Sequence, residues 1–245
     1  MNHNKTVNTM RNKFQSDIAY VNNSQHIPYI FGEVGSALGG SQQVDSSLGT
    51  ALWTADFMLH AMTLGVAGVN MQLGNDYGIA AWQPVDTPNK PAQVHGNFYG
   101  HVFVADFIGT KGDLQVAALE ELPSARHPHF VGYAGYNSGK LSKVAILNML
   151  FWDTDSTDHR PSQNLTVVVG RDIDQVRVDR LASSLGATAF QQNITWADQR
   201  WTKETNGMPV NAGNSTAVRQ VKNGTVEDVN INASEGILLT LLRST

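Results

Sequence analysis

A single glutamate set among glycines is the group in this sequence best placed to do chemistry. Residues 27 to 41 read Ile-Pro-Tyr-Ile-Phe-Gly-Glu-Val-Gly-Ser-Ala-Leu-Gly-Gly-Ser. Ile27, Tyr29, Ile30 and Phe31 make a short, nearly continuous apolar run, as in a strand buried on both faces. The run breaks at Gly32, presents Glu33, and continues through Gly35, Gly39 and Gly40. A carboxylate at the C-terminal end of a buried strand stands where a parallel barrel carries its catalytic groups. The glycines beyond it let backbone N–H groups come close to a ligand. Glu33 is therefore a candidate catalytic carboxylate; on spacing alone the alternative is a glutamate in an exposed turn. A second candidate group is Asn75-Asp76-Tyr77, inside a loop from Leu73 to about Gln93 with Trp82 and three prolines. Long aromatic loops after barrel strands are places where sugar rings are gripped.

The elements that must position these groups follow from the hydrophobic period. Phe14, Ile18 and Val21 fall at helical spacing within a polar stretch of residues 1 to 26. Asp45-Ser46-Ser47 offers N-capping side chains before a helix from about Gly49 to Leu64, with Trp53, Phe57, Ala61 and Leu64 on one face. That stripe reads as core, and His60 beside it as structural. Gly65 closes the helix, and Val66 to Gln72 reads as a second buried strand, making a βαβ unit with parallel strands. A further helix is expected over His95 to Ile108, ended by Gly109. The count matches the last two βα units of an eightfold barrel. From about Lys111 the period turns alternating, with strands expected at Leu114–Leu119, Phe130–Tyr136, Ser142–Phe151, Leu165–Val169, Gln175–Leu181, Asn193–Trp196, Ala217–Val221 and Gly236–Leu242. The expected fold class is thus α/β plus all-β: a partial (β/α)8 barrel over residues 1–110, then an antiparallel β-sandwich over 111–245.

Composition narrows the function classes. Of 245 residues 41% are apolar, enough for a real core, and the net charge of −4 offers no electrostatic attraction for nucleic acid or an anionic membrane. No run of 18 apolar residues occurs, so no span of a bilayer is expected. Cysteine is absent, and the eight histidines show no HExxH-like spacing, so neither metal nor other cofactor is expected. Seven Asn-X-Ser/Thr sequons begin at Asn4, Asn22, Asn164, Asn193, Asn214, Asn223 and Asn232. The content of asparagine, serine and threonine would give about three by chance, so the excess favours passage through a secretory pathway. The polar opening Met1-Asn2-His3-Asn4-Lys5-Thr6 lacks the apolar core of a signal peptide. Both facts fit the C-terminal part of a longer secreted protein.

The segment Gly32-Glu33-Val34-Gly35-Ser36-Ala37-Leu38-Gly39-Gly40 resembles the nucleophile segment of glycoside hydrolase family 79, the β-glucuronidase and heparanase family. Leu38 departs from it where heparanase-like members carry tyrosine. Asn75-Asp76-Tyr77 resembles the segment after the eighth barrel strand, and Ile194 to Ala197 and Ala233 to Leu239 resemble the C-terminal β-domain. The resemblance implies a retaining hydrolase of β-glucuronides with Glu33 as nucleophile. It also implies a glucuronate carboxylate held by the Tyr77 hydroxyl, by Asn75 and by backbone N–H groups near Gly39 and Gly40, an arrangement of neutral donors able to stabilise an anion. In the family an acid/base glutamate follows an asparagine; this chain has no Asn-Glu dipeptide, and of its six glutamates only Glu33 precedes the sandwich. General acid help is worth typically 10²–10⁴-fold, and two βα units leave an unpaired strand edge. The chain alone is thus expected to be inactive and prone to aggregate, with a missing N-terminal barrel segment as partner. Two other readings stand beside this one: a non-catalytic sugar-binding or structural sandwich using Trp152, Trp196 or Trp201, and a retaining hydrolase of another sugar class. Tyr77 can also be read as a loop tyrosine covering the barrel rim.

Overall fold

The computed structural model describes residues 1–36, 46–110, 112–120, 122, 126–205 and 207–243. Helix α1 (His3–Tyr20) begins at Asn2, whose side chain accepts the Lys5 N–H at 3.1 Å, and runs into a π turn (Val21–Gln25) closed by His26 at φ 55°. Strands β1 (Tyr29–Val34) and β2 (Val66–Met71) pair in parallel, joined by α2 (Leu48–Thr63). A parallel pair needs such a crossover, and Gly65 at φ 85° makes the turn back into β2. The helix is one residue shifted from the expected span and the strand ends one residue early.

Two partners explain why α2 is apolar nearly all round. Phe57, Ala61 and Leu64 join Met10, Ile18, Phe31 and Val66 in a small core shared with α1 and the β1–β2 pair. Leu48, Ala51, Leu52, Ala55 and Leu59 instead enter a larger core against the β-rich half. A helix with both faces covered has no polar side to present. Helix α3 (Phe98–Ile108) lies beside it, with Tyr99, Phe103, Val104 and Phe107 in the same core. Gly100 permits this close approach: a Cβ there would run into the Ala51 carbonyl.

The β-rich half contains a nine-stranded sheet: β12 (Pro209–Asn211), β11 (Gln199–Trp201), β10 (Thr195–Trp196), β9 (Gln175–Ala182), β15 (Glu235–Leu242), β7 (Lys140–Asn148), β6 (Phe130–Asn137) and β5 (Gln115–Ala118) in spatial order, with β13 (Ala217–Gln220) also on β9. All these pairings are antiparallel. Side-chain alternation sends Leu147, Leu181, Trp196 and Leu238 to the helices, and Ile146, Val178, Ile237 and Leu239 to the opposite face. That opposite face is covered by a two-stranded layer, β8 (Ser162–Val168) against β14 (Thr225–Asn232). The chain is therefore mostly β-sheet with a few helices. The segment 225–232, outside the expected strands, is a strand with a register shift between Val226 and Val229, where Asp228 sits at φ 55°. The extra residue of such a bulge breaks the alternation that marks a strand.

The halves before and after residue 110 share one core. A polar tie reinforces it: Asp56, fully buried on α2, accepts the Tyr133 hydroxyl of β6 at 2.6 Å and faces His3 Nδ1 of α1 at 2.9 Å. Burial first, and the Asp56 charge second, push the Tyr133 hydroxyl well above its ordinary pKa, so it stays a donor. Trp196 and Trp201 are 1% and 8% exposed, hence core rather than sugar platforms, while Trp152 is half-buried beneath the Arg160 guanidinium. No helix is long and apolar enough to cross a membrane among the described residues.

Candidate active site

Strand β1 delivers Glu33 at its C-terminal end, one residue before Val34, which lies opposite Met71 at the end of β2. Gln72 N–H donates to the Val34 carbonyl at 2.7 Å, so both strands release their following loops at the same level. These loops touch: a Cβ on Gly35 would meet the Ile79 side chain at 2.8 Å, two residues from Tyr77. The Ser46 hydroxyl adds a bond to the Gly78 carbonyl at 3.1 Å. Glu33 is exposed, and its carboxylate takes no hydrogen bond from the described residues. Asn75 and Tyr77 are exposed as well. Gly39 and Gly40 lie outside the described residues.

What holds the tyrosine loop is a residue of the candidate group for which the sequence suggested no role. Asp76, at φ 63°, is its hub. Its N–H donates to Gln83 Oε1 at 2.8 Å, its carboxylate accepts the Thr87 hydroxyl at 2.5 Å, and its carbonyl accepts Lys90 Nζ at 2.9 Å. The far side of the loop is fixed by His95, whose Nδ1 lies 2.7 Å from the Ala80 carbonyl, and by Asn97, whose amide donates to the Ile79 carbonyl at 2.6 Å. Burial lowers the His95 pKa, keeping a neutral ring that donates to that carbonyl. These duties also explain why α3 starts at Phe98 rather than His95. A short pair, β3 (Trp82–Gln83) with β4 (Gln93–Val94), closes the loop. Lys203 reaches from the β-rich half to Asp86 at 2.8 Å, which holds that carboxyl below its usual range. Asp-Tyr adjacency in the sequence was the one available signal for the hub; its partners are seven to fourteen residues away.

Five sequon asparagines, Asn4, Asn164, Asn193, Asn214 and Asn223, are exposed. Asn22 and Asn232 are half-buried, and their amides donate to the Gly65 carbonyl and to Glu235 Oε2, both at 2.8 Å. Among the described residues no group of three or more His, Asp or Glu could hold a metal ion.

Residues 132–238 match the glycosyl hydrolase family 79 C-terminal beta domain. A β-glucuronidase of Aspergillus niger is 29% identical over 258 residues, taking in 98% of this chain and 47% of that protein. A β-glucuronidase of Neurospora crassa is 29% identical over 138 residues, 53% of this chain and 25% of that protein. The chain thus spans about half, or less, of the curated relatives it matches. Among solved structures, a 4-O-α-L-rhamnosyl-β-D-glucuronidase from Fusarium oxysporum 12S superposes with TM-score 0.69 at 20% identity, over 98% of this chain and 50% of that one. A GH39 enzyme from Xanthomonas axonopodis pv. citri does so with TM-score 0.50 at 12% identity, over 97% and 49%; both likenesses concern the fold. The chain thus carries a match to the family 79 C-terminal beta domain and, over nearly all of its own length, is similar to about half of a fungal β-glucuronidase.

Proposed function

We propose that the chain is the C-terminal part of a retaining β-glucuronidase. Residues 1–110 supply the last two βα units of its barrel, and residues 111–245 supply its β-sandwich. Glu33 is the nucleophile: its carboxylate attacks the anomeric carbon and forms a glycosyl-enzyme that water then hydrolyses. Tyr77 donates its hydroxyl to the glucuronate carboxylate, with Asn75 and the backbone near Gly39 and Gly40 completing the grip. One observation carries the reading: Glu33 and the tyrosine loop leave parallel neighbouring strands at one level, with Gly35 packed on Ile79. The exposure of Glu33 follows from the same reading. Ile30, on the uncovered face of β1, is 52% exposed, as expected where further barrel strands are needed to enclose the lumen.

The proton donor must then come from outside residues 1–245, because retaining hydrolysis uses two carboxylates about 5–5.5 Å apart. The chain alone is inactive on glucuronides. Secretion, with glycosylation at exposed sequons such as Asn4, Asn164 and Asn223, accompanies this reading. The test is an activated 2-fluoro-glucuronide given to the full-length protein. The expected result is one sugar mass on the peptide carrying Glu33, absent in Glu33→Gln, with turnover lost and the melting temperature unchanged. Normal turnover in Glu33→Gln would refute the assignment.

A further inference from the structure

The two-stranded layer is narrower than the sheet it covers, and the difference leaves a trough. β8 and β14 pack over β6, β7, β15 and the first part of β9, where Val176, Val178, Ile237 and Leu239 make an apolar interface. Beyond that layer the same face of the large sheet continues across β9, β10 and β11. Alternation puts Glu235, Arg180, Thr195 and Arg200 on it, where an interface would carry apolar residues. A cavity of about 580 Å³ results, walled by β14 and by the loop of residues 212–215. That is the size range of small-ligand sites.

Its charges are unequally committed. Glu235 is buried, and both its oxygens are taken: Oε1 accepts Arg180 Nη1 at 2.7 Å, and Oε2 accepts the Asn232 N–H and side-chain amide at 2.7 and 2.8 Å. Asp198 accepts the Ser215 N–H and hydroxyl on one oxygen and the Thr216 N–H on the other, at 2.6 to 2.7 Å. Against the pull of partial burial, these bonds hold its carboxyl below the usual range. The acceptors of the trough are therefore used up. The donors are not: Arg200 gives Nη1 to the Gln192 carbonyl at 2.8 Å and its Nε is closed off, but its Nη2 meets no acceptor among the described residues. Gln192, Asn193, Asn214 and Ser184 add neutral polar groups around it. A guanidinium with Nη2 uncommitted can donate to a carboxylate oxygen, and amides and hydroxyls match sugar hydroxyls.

We propose that this trough is a second carbohydrate site, taking the carboxylate-bearing sugar of an acidic oligosaccharide. It uses none of Glu33, Asn75 or Tyr77, so it stands or falls apart from the catalytic reading.

The test is hydrogen–deuterium exchange on the full-length protein in a Glu33→Gln background, made in a bacterial host so that Asn193 and Asn214 carry no glycan. The probes are glucuronyl-galactose, its carboxyl-reduced neutral counterpart and sodium sulfate. The expected result is protection of residues 192–200 and 212–216 by the acidic disaccharide, at concentrations about tenfold lower than for the neutral sugar or sulfate. Arg200→Gln should raise that concentration about tenfold, and so should Ser184→Glu, which adds a like charge at an exposed turn position; both should melt as the parent does. If Arg200→Gln does not fold, Ser184→Glu alone decides. Overturning results are no protection there, equal protection by neutral sugar, equal protection by sulfate (a bare anion site), or protection indifferent to the variant that folds. Loss of protection around Tyr77 with the trough response intact would instead count against the catalytic reading.

Discussion

The nine-stranded sheet and the β1–β2 pair differ in how many faces they bury. The nine-stranded sheet has the helices α2 and α3 on one face and the β8–β14 layer on much of the other, each contact making its own core. The β1–β2 pair packs one face on α1 and α2 and leaves the other open, with Ile30 exposed there. Burial of apolar surface drives folding, so the large sheet holds the stability and the small pair holds the candidate chemistry. Stability and the candidate chemistry are thus placed in different sheets.

Four substitutions or conditions probe that contrast, in falling order of effect. Trp196 is buried in the helix-facing core and its Nε1–H donates to Asp106 at 2.5 Å. Trp196→Ala should cost about 3–5 kcal/mol in urea unfolding; a loss under about 1 kcal/mol would mean the shared core is not the main support. Next comes pH. Burial, the larger effect, with Asp56 opposing it and His3 and Arg11 adding to it, lowers His60 from 6.5 to about 4. Between those values the unfolded chain binds the proton and the folded one does not, so stability falls as pH drops through that window, by up to about 3 kcal/mol. His60→Leu should flatten the melting temperature between pH 6.5 and 4. It will not abolish the slope, because buried His95 and half-buried His101 are lowered too. Gly100→Ala should cost about 1–3 kcal/mol by thermal melt, since the added methyl meets the Ala51 carbonyl and has no room. Ile30→Ser, by contrast, should change the stability of this chain by no more than about 0.5 kcal/mol. A larger loss would show that the open face is covered in solution.

How much was legible follows from how locally each element is encoded. Helix α2 and strands β1 and β2 announce themselves by uninterrupted period, and the glutamate–glycine segment by its own residues. The strand at 225–232 did not, because the bulge at Asp228 shifts its alternation by one. The start of α3 was masked because His95 and Asn97 serve carbonyls of a distant loop. Asp76 looked like one polar residue in a motif and proves to organise the loop through partners up to fourteen positions away. The trough is beyond local reading altogether: its residues come from positions 160 to 235 and meet through strand order.

The Asp56 tie and the common core also bear on dissection of the molecule. A protease cut between α3 and β5 would sever the covalent link yet leave Asp56 gripped by Tyr133 and the helices seated on the sheet. The two pieces should co-purify under native conditions and separate in denaturant, and a recombinant sandwich lacking α2 and α3 would expose an apolar wall of Leu147, Trp196 and Leu238. The cleavable unit and the folding unit of this protein are therefore not the same length of chain.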